Sequence, residues 1–594
     1  MDYTQELLDS LLWISKAMAI TAVVFPLAVY ILAKNTRWGR QFWLLAKGYL
    51  TPTRTLQPII YFVIIVFFNL LSVRLDILFS EWYKAMYNAL QKMEESIFWI
   101  QMIVFCVLAT VHMANVLLTY YLTQRFTIQW RTWLNEQMVE KWTNNQAYYK
   151  TQYVYNQLDN PDQRIQQDVQ SYVSSSISFA TGVISAVVSI VAFTIILWGL
   201  AGPMTIAGIT ISHAMVYFVF MYVLVTSVFA FKIGRPLINL NFANERLTAN
   251  YRYSLIRIKE YAESIAFFRG EKMEKSVLFQ QFDRIIQNIW QMVFRTLKLS
   301  GFNFVVSQVS VIFPFIIQAS RYFSKQIELG DLIQTAQAFG KVQSALSFFR
   351  NSYDDFAGYR AVLDRLTGFH TAIEQANQTS NIVIQPTETA VEFENLTVNK
   401  PTGEALIKNL NLHLPQGSSL LIKGPSGSGK TTLLRTIAGL WAYSEGTVRC
   451  PQHDVLFLSQ KPYLPQGRLI DALFYPQVAP EDVDLAKAAQ IMQQVQLGHL
   501  AEKLTQENDW TRVLSLGEQQ RLSFARVLMH KPLAAFLDEA TASMDEGLED
   551  AMYRLLREEL PQTTIISVGH RSTLQTHHQQ HLLINPEDQS WQLL

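Results

Sequence analysis

The sequence contains little cysteine and little charge. Only Cys106 and Cys450 occur among its 594 residues, so a disulfide framework like that of small secreted proteins is not expected. Charged residues make up 16% of the chain and the formal net charge is +1, which gives no indication of a nucleic-acid partner, and none is predicted. Because 50% of the residues are apolar, the low charge indicates that a large share of the chain lies in a membrane.

Seven apolar stretches are close to the length that a bilayer requires, about 20 residues. They lie at about 11–33, 57–79, 97–122, 177–200, 204–230, 300–320 and, more weakly, 328–349. The first is too long for the apolar core of a signal peptide and no small-residue cleavage site follows it. We therefore expect an extra N-terminal membrane helix followed by a set of six, with the lipid bilayer as a partner.

Charge asymmetry predicts the orientation of these helices. Residues 34–54 carry five basic side chains and no acidic one, whereas the first ten residues include Asp2, Glu6 and Asp9. Basic loops stay on the cytoplasmic side, so the N-terminus is predicted to lie outside. Seven crossings then place the C-terminal third of the chain in the cytoplasm.

This C-terminal third contains a predicted phosphate-binding loop. Residues 424–431 fit the pattern G-x-x-x-x-G-K-[ST], in which backbone N–H groups surround phosphate oxygens, the lysine reaches the β- and γ-phosphates and the last hydroxyl binds Mg²⁺. An apolar strand pattern precedes the loop and a helical pattern follows it, as the motif requires. The residues predicted to contact the nucleotide are Gly424, Pro425, Ser426, Gly427, Ser428, Gly429, Lys430, Thr431 and Thr432.

Two carboxylates follow a second apolar strand pattern at 533–537. Asp538 is predicted to hold Mg²⁺, and Glu539 to act as a general base on a water that attacks the γ-phosphate. An Asp-Glu pair at a strand end is common in soluble domains, so the pair by itself does not establish a catalytic site. The order and spacing of this pair relative to the other motifs support the catalytic interpretation.

Around these two motifs the chain, over residues 389–575, resembles the ATP-binding cassette (ABC) family. The resemblance implies that Gln460, after an apolar stretch, contacts Mg²⁺ and the attacking water, and that His570 holds the γ-phosphate and positions Glu539. Residues 514–521 resemble the signature motif, whose Ser515 and Gly517 would bind ATP held by a partner subunit, and Asp545 lies in a segment that resembles the D-loop. ATP and Mg²⁺ are the implied cofactors, with Thr431, Gln460 and Asp538 on the metal.

The signature departs from the commonest form at Leu516 and Glu518. The contact across the subunits then depends on Ser515 and Gly517, with Glu518 beside them, and turnover is expected to be slow. Near Lys400 no aromatic residue stands where many family members stack one on adenine. Because a single chain supplies half of each composite site, a homodimer is predicted.

The membrane half resembles a narrower group. Residues 74–91, 234–238, 252–253 and 263–267 are similar to the SbmA/BacA peptide-uptake family and to the subfamily D transporters of peroxisomes and lysosomes. Related bacterial proteins carry this membrane domain fused to an ABC ATPase, and they include a mycobacterial importer of cobalamin and bleomycin. The resemblance implies a multi-pass protein of a bacterial inner membrane that takes up bulky hydrophilic solutes.

Two long stretches at 123–176 and 231–299 have helical apolar spacing and are expected to extend membrane helices towards the cassette. Residues 160–168 begin with a proline-disrupted turn and are similar to the coupling helices of ABC transporters, although an ordinary solvated helix start would have the same pattern.

A polar stripe marks the last apolar stretch. Its members at i, i+3, i+7 and i+10 share one helix face and are predicted to line a transport cavity, together with His213 in the fifth span. The stripe residues are Gln334, Gln337, Lys341 and Ser344. Helix–helix contact, or a position partly outside the bilayer, would explain the same pattern.

The predicted fold is an α-helical polytopic membrane domain followed by an α/β P-loop cassette. The predicted boundaries are 1–50 for the extra helix and basic linker, 51–372 for the six-helix domain, 373–388 for a linker and 389–594 for the cassette. The function that fits is ATP-driven uptake of hydrophilic compounds such as cobalamin, bleomycin-like compounds or antimicrobial peptides. An exporter or flippase of lipids, acyl compounds or drugs, and an ATP-gated channel or regulator, remain alternatives because the motifs show ATP use and not its direction.

Overall fold

The computed structural model describes residues 3–51, 55–154, 161–206, 209–378, 382–451 and 454–594. The chain forms two compact units. The first comprises Met1–Met138 and Asn160–Gly368, and the second comprises Val139–Asp159 and Phe369–Leu594. A segment from the middle of the helical half therefore folds with the C-terminal domain.

Helices dominate the chain up to residue 378. They are α1 (Tyr3–Asn35), α2 (Arg37–Leu50), α3 (Gln57–Gln91), α4 (Glu95–Thr143), α5 (Ala147–Val154), α6 (Pro161–Gln163), α7 (Val169–Leu200), α8 (Ala214–Glu260), α9 (Ala262–Phe268), α10 (Glu271–Phe323), α11 (Leu329–Asn351) and α12 (Tyr353–Gln378). A short antiparallel hairpin, β1 (Met204–Ile206) and β2 (Ile209–Ile211), joins α7 to α8.

Six helical segments within the described residues are long and apolar enough to cross a membrane. They are Gln5–Asn35, Gln57–Gln91, Glu95–Tyr153, Pro161–Leu200, Ala214–Glu260 and Glu271–Phe323. The helical polytopic domain is thereby confirmed. The expected number of apolar spans is corrected from seven to six. The seventh, α11, is a helix of 23 residues that does not belong to this apolar set. Asp331, Lys341 and its glutamines lower its apolar content, so the parity argument for the orientation loses its support.

The core of the first unit lies where α3, α7, α8 and α11 pack together. Phe193, Val219, Phe339 and Val342 are fully buried there, and Ile77 is nearly so. Helix α11 thus buries one apolar face against its neighbours although it also carries Asp331, Lys341 and several glutamines. At 1.5 Å per residue, α8 and α10, of 47 and 53 residues, exceed the ~30 Å hydrocarbon thickness and must extend beyond it.

Residues 161–168 are helical and continuous with α7. They form α6 and a π turn that lead directly into α7, and Asn160 lies outside the described residues. Asp168 is 2% exposed and accepts hydrogen bonds from Arg164 at 3.0 Å and from both Nε and Nη2 of Arg365 at 2.8 and 2.6 Å. These hydrogen bonds fix the segment to Arg365 on α12, and its role as a coupling helix stays a prediction.

The described residues of the cassette form three sheets, of six, four and two strands, and six further α-helices. The strands are β3 (Ile382–Pro386), β4 (Val391–Asn399), β5 (Ala405–Leu414), β6 (Ser419–Lys423), β7 (Ser444–Cys450), β8 (Val455–Leu458), β9 (Gly467–Arg468), β10 (Glu507–Asn508), β11 (Ala534–Asp538), β12 (Thr564–Val568), β13 (Gln580–Asn585) and β14 (Ser590–Leu593). The helices are α13 (Lys430–Ile437), α14 (Leu469–Phe474), α15 (Leu485–Gln494), α16 (Trp510–Val513), α17 (Leu516–His530) and α18 (Glu546–Glu559).

The main sheet has the order β14-β13-β6-β12-β11-β8 and is parallel except for β14. Strands β6, β11 and β12 are almost wholly buried because helices cover both faces. A second sheet has the order β3-β7-β4-β5. The residues expected to form a linker, 373–388, instead contain the end of α12 and the strand β3, which pairs with β7.

Candidate functional site

The P-loop leaves the carboxyl end of the central strand β6 and opens α13. Gly424, Gly427 and Gly429 have φ angles of 155°, 81° and 93°, which L-residues with side chains avoid. A Cβ at Gly424 would lie 2.8 Å from the Ile584 carbonyl, so the backbone also requires glycine for space. The loop can therefore turn its N–H groups towards an anion at the start of a helix.

Two polar groups of the loop fit a phosphate ligand. Lys430 is 6% exposed, and its Nζ donates to the carbonyl oxygens of Gly424 at 2.9 Å and Pro425 at 2.8 Å. Burial lowers the pKa of Lys430, while Glu539 and Asp538 raise it. The hydroxyl of Ser428 is buried without a hydrogen-bond partner among the described residues. A phosphate would give both groups an acceptor.

Asp538 ends β11 beside the P-loop helix. The Thr431 hydroxyl donates to its Oδ1 at 3.2 Å, so the two residues assigned to Mg²⁺ are adjacent. Burial raises the pKa of Asp538 and Glu539 adds to the rise, whereas the Thr431 bond, Arg435 and Lys430 lower it. Among the described residues no three His, Cys, Asp or Glu side chains cluster as a metal site. Mg²⁺ needs none, since it takes one or two carboxylates with phosphate and water oxygens.

Glu539 lies at the centre of the predicted catalytic group. Gln460 Nε2 donates to its Oε2 at 3.0 Å, and His570 Nε2 lies 3.5 Å from its Oε1. Its φ of 48° is in the left-handed region, where a non-glycine residue is uncommon and is held by its surroundings. The structure thus brings together three residues that are separated by 110 positions in the sequence.

The signature segment is organised as a helix start. Ser515 is the N-cap of α17, and it forms a capping box with Glu518. The carboxylate of Glu518 accepts from the Ser515 hydroxyl at 2.7 Å and lies 3.0 Å from His499 Nε2. Burial raises the pKa of Glu518, but the hydrogen bonds from Ser515 and His499 outweigh this and lower it. The structure therefore gives Glu518 a capping contact, and its direct contact with ATP stays a prediction.

Two residues that the sequence analysis missed connect these loops. Gln520 is fully buried, and it donates to the Gln460 carbonyl at 2.8 Å and accepts from Ser543 N–H at 2.9 Å. Arg571 donates to the Met544 carbonyl at 2.7 Å. Gln520 lies inside the signature segment 514–521 and Arg571 follows His570, but the sequence analysis assigned neither of them a role.

The remaining D-loop and signature residues have clear local roles. Asp545 caps α18 by accepting from Leu548 N–H at 2.8 Å. A Cβ at Gly517 would lie 3.0 Å from the Ser543 carbonyl, so α17 approaches the D-loop closely at this glycine. In the described part of the chain no hydrogen bond joins Ser515 or Gly517 to the P-loop.

The segment 139–154 folds with the cassette and packs on it through Tyr153. The Tyr153 ring lies 5.1 Å from that of Trp441, its carbonyl accepts from the Tyr443 hydroxyl at 3.0 Å, and its ring faces Arg435 at 5.9 Å. A cavity of about 540 Å³ beside this segment is lined by Tyr149, Thr431, Arg435 and Asp538, among others. The segment therefore reaches the residues of the nucleotide site.

The predicted polar stripe on α11 is partly an ion-paired surface. Lys341 Nζ lies 2.7 Å from Asp76 Oδ2 on α3, and the two side chains are 45% and 30% exposed. Gln334 is buried, Gln337 is half-buried and Ser344 is exposed. The sequence analysis missed Asp76, because a single acidic residue inside an apolar stretch carries no pattern.

His213 does not lie inside a span. It precedes α8 with a φ of 55°, its ring centroid is 4.1 Å from that of Trp198, and its Nδ1 lies 3.2 Å from the Ala201 carbonyl. The expected fifth span, 204–230, begins with the hairpin instead, so α8 starts ten residues later. The expected position of His213 inside a span is therefore corrected to the start of α8, and its role in lining a transport cavity stays a prediction.

Comparison with known families supports both halves of the chain. Residues 45–323 match the family described as ABC transporter transmembrane region 2, and residues 407–542 match the family described as ABC transporter. The first match covers the described helices α3 to α10, and the second includes the P-loop, the signature and the Asp538-Glu539 pair.

Similar proteins align over most of the chain. An uncharacterized ABC transporter ATP-binding protein of Haemophilus influenzae is 61% identical over 594 residues, 100% of both chains. The inner membrane ABC transporter ATP-binding protein YddA of Escherichia coli is 32% identical over 86% of this chain and 91% of its own. The human lysosomal cobalamin transporter ABCD4 is 30% identical over 76% of this chain and 79% of its own. With one apolar helical region fused to one ATP-hydrolysing cassette, and with similarity to subfamily D, the chain belongs to the ABC transporter family as a half-transporter.

Proposed function

We propose that the protein is a homodimeric, ATP-driven importer of hydrophilic compounds in a bacterial inner membrane. The observation that carries ATP-driven work is the group around Glu539, with Gln460 at 3.0 Å and His570 at 3.5 Å. This group stands beside a P-loop with a paired Thr431 and Asp538. The same chain carries six apolar helical segments, so hydrolysis and membrane passage reside in one polypeptide.

Each residue of the site has a role that follows from its position. Lys430 and the loop N–H groups neutralise the phosphates of the ATP substrate. Thr431, Asp538 and Gln460 would hold Mg²⁺, which would neutralise charge that develops during cleavage. Glu539 accepts the proton of the attacking water, and His570 orients Glu539 from the other side. This arrangement places the base next to the metal ligands.

Pairing of two chains is supported by what the signature residues lack within one chain. Ser515 and Gly517 form no hydrogen bond with the P-loop in the described part of the chain, so they are available to ATP bound by a second copy. At the end of the α8–α10 hairpin, Phe267 and Phe268 on α9 are 79% and 87% exposed. We infer that these two exposed rings lie against the second copy of the chain.

Hydrophilic cargo is supported by charges on α3 and α11. Lys341 pairs with Asp76, and Lys84 pairs with Asp331 at 2.8 Å, with exposed fractions from 23% to 45%. Half-exposed charged pairs on membrane helices are costly unless they face water or polar cargo. The similarity to a lysosomal cobalamin transporter and the resemblance to SbmA/BacA and to the mycobacterial importer of cobalamin and bleomycin support the same cargo class. We also propose an outside N-terminus and a cytoplasmic cassette. This orientation requires α11 to cross the membrane in addition to the six apolar segments, because six crossings would leave both ends of the chain on one side.

A transport assay tests direction and cargo together. Purified protein in liposomes is given labelled cobalamin, a bleomycin-like compound or a proline-rich peptide, with ATP only on the cassette side. We expect the cargo to accumulate on the cassette side and to stimulate ATP hydrolysis. Glu539→Gln should abolish both effects. Flow in the opposite direction, or movement of lipid alone, would establish the exporter or flippase. Flux of the cargo down its concentration gradient, with ATP needed only to open the pore, would establish the channel.

A matched pair of variants tests the α3–α11 surface. Lys341→Met should change the relative rates of anionic and cationic cargoes at least threefold, because it leaves Asp76 as an unpaired negative charge. The control Lys325→Met removes an exposed lysine outside this surface. Equal rates for all cargoes in both variants would mean that α11 only packs.

A further inference from the structure

A polar cavity lies where α7 ends, α8 begins and α10 ends. Its volume is about 310 Å³. Residues from the three helix ends line it, among them Gly202, Met215, Gln318, Arg321, Ser324 and Gln326. Because three apolar segments terminate here, the cavity is at an end of the membrane-crossing region and not in its middle. The cavity is distinct from the nucleotide site and from the α3–α11 surface.

Arg321 brings an uncompensated positive charge to this cavity. Its Nη1 donates to Gln318 Oε1 at 2.9 Å and to the Leu200 carbonyl at 3.2 Å, both of them uncharged acceptors. Within the described residues Arg321 takes part in no ion pair. The acids that follow on the chain, Glu328 and Asp331, are paired with lysines.

The neighbouring backbone is shaped around the guanidinium. A Cβ at Gly202 would overlap the guanidinium of Arg321, so this group occupies the space that any side chain at Gly202 would fill. Gln318 is 2% exposed, and its Oε1 fixes Nη1, which leaves the other guanidinium nitrogen atoms free to face a ligand. A buried amide that holds an arginine in place is a feature of a preorganised site.

A second source of positive potential meets the first. Ala214 and Met215, the first residues of the 47-residue helix α8, line the same cavity. The first N–H groups of a helix have no partner within it, and the preceding His213 provides no side-chain cap. These N–H groups favour an anion, as Arg321 does.

We propose that this cavity binds a phosphate or carboxylate group, either the headgroup of an anionic lipid or a small soluble anion. A planar guanidinium binds two oxygens of such a group at once, and the helix N–H groups are donors to the remaining oxygens. The volume is at the lower limit of ligand pockets, which suits a headgroup and not a large cargo. The lipid headgroup and the soluble anion would both present negatively charged oxygens to Arg321.

Binding to the full-length, delipidated protein in neutral detergent tests the proposal. The two probes are short-chain phosphatidylglycerol and glycerol 3-phosphate, followed by calorimetry. Arg321→Gln should weaken binding at least tenfold. The control Lys325→Gln removes an exposed cation four residues away and should change the affinity less than twofold. Binding of the lipid alone identifies a membrane headgroup, and binding of both probes identifies a soluble anion.

A second variant keeps the test valid if Arg321→Gln folds poorly. Gln326→Glu places a carboxylate on the exposed rim of the cavity and leaves Arg321 and its hydrogen bonds in place. It should weaken binding of either probe at least fivefold, with an unchanged Tm. The proposal is overturned if the wild-type protein binds neither probe, if both cavity variants bind as the wild-type does, or if Lys325→Gln weakens binding equally.

Discussion

At the scale of single residues, the nucleotide site depends on positions that are strained or buried. Glu539 adopts a left-handed backbone conformation, and Lys430 is almost fully buried while hydrogen-bonded to its own loop. Such features cost free energy and persist where the surroundings enforce them. Their concentration at one edge of the sheet is what distinguishes the site from an ordinary Asp-Glu pair.

Replacing the proposed base tests the chemistry directly. Glu539→Gln keeps the size of the side chain but removes its ability to accept a proton, so ATP should remain bound while turnover falls at least 100-fold. The measurement is phosphate release together with retention of labelled ATP. Glu546→Gln, an exposed residue of α18, is the control and should be near wild-type. Hydrolysis at the wild-type rate in Glu539→Gln would remove the assignment.

At the scale of elements, α5 links the helical half of the chain to the cassette. It folds within the second unit, where Tyr153 packs on Trp441 and its carbonyl is fixed by Tyr443. The same segment borders the cavity that contains Thr431 and Asp538. We therefore expect movement of this segment to affect the nucleotide site through Arg435, which faces the Tyr153 ring and lines the same cavity.

Loss of the Tyr153 ring should uncouple the two halves. Tyr153→Ala removes the packing on Trp441 and the ring that faces Arg435, so we expect basal ATPase within about twofold but a loss of cargo stimulation. The measurement is ATPase in proteoliposomes with and without cargo. Gln152→Ala, the exposed neighbour, is the control. Full stimulation in Tyr153→Ala would show that the contact is only structural.

Another element-scale contact makes cassette stability depend on pH. Burial lowers the pKa of His578 to about 4, and its neutral ring lies 2.7 Å from the Leu574 carbonyl and 2.9 Å from the Ser567 hydroxyl. Since the folded pKa is below the unfolded value of about 6.5, the contribution is fully present above pH 6.5. It is lost as the pH falls from 6.5 towards 4, by up to about 3 kcal/mol.

The thermal midpoint of the purified protein should therefore fall between pH 7.5 and pH 5. His578→Gln should show a smaller fall, because the titrating group is gone. His413→Gln removes a histidine whose side chain is 63% exposed and should behave as the wild-type does. Identical pH dependence in all three proteins would contradict the assignment.

At the scale of the whole molecule, one chain contains one P-loop and one signature segment. Our proposal requires two chains, with each nucleotide between the P-loop of one and the signature of the other. The family assignment makes the chain a half-transporter. Its pairing with a second copy is the proposal that the next experiment tests.

Complementation between two inactive variants tests the pairing. Lys430→Ala disables the P-loop, and Ser515→Ala disables the signature at a stability cost of about 1 kcal/mol for the lost cap. Each homodimer should be inactive. A mixed dimer contains one site with both defects and one intact site, so co-expression followed by two-tag purification should restore measurable ATPase. Absence of restored activity in a folded mixed dimer would contradict shared sites.

Local patterns in the sequence predicted much of the cassette and the helical class of the membrane half. The P-loop, the Asp538-Glu539 pair and the approximate positions of the apolar helices depend on neighbouring residues, and the described structure places each of them in the expected kind of element. The weak stripe on α11 was a helix, as expected, but its charges exclude it from the six apolar segments. Its partner Asp76 is 265 positions away, beyond the range of any helical pattern.

The sequence by itself determined the two kinds of domain and the chemistry of the nucleotide site, because spans and phosphate loops follow from periodicity and composition over ten to twenty residues. Only the tertiary structure decided which segment docks on the cassette, that Gln520 joins two loops and that Arg321 faces a cavity. Those facts arise from shape and charge matching between residues far apart in the chain. The free energy of burial selects these contacts from many pairings that the local sequence patterns allow equally well.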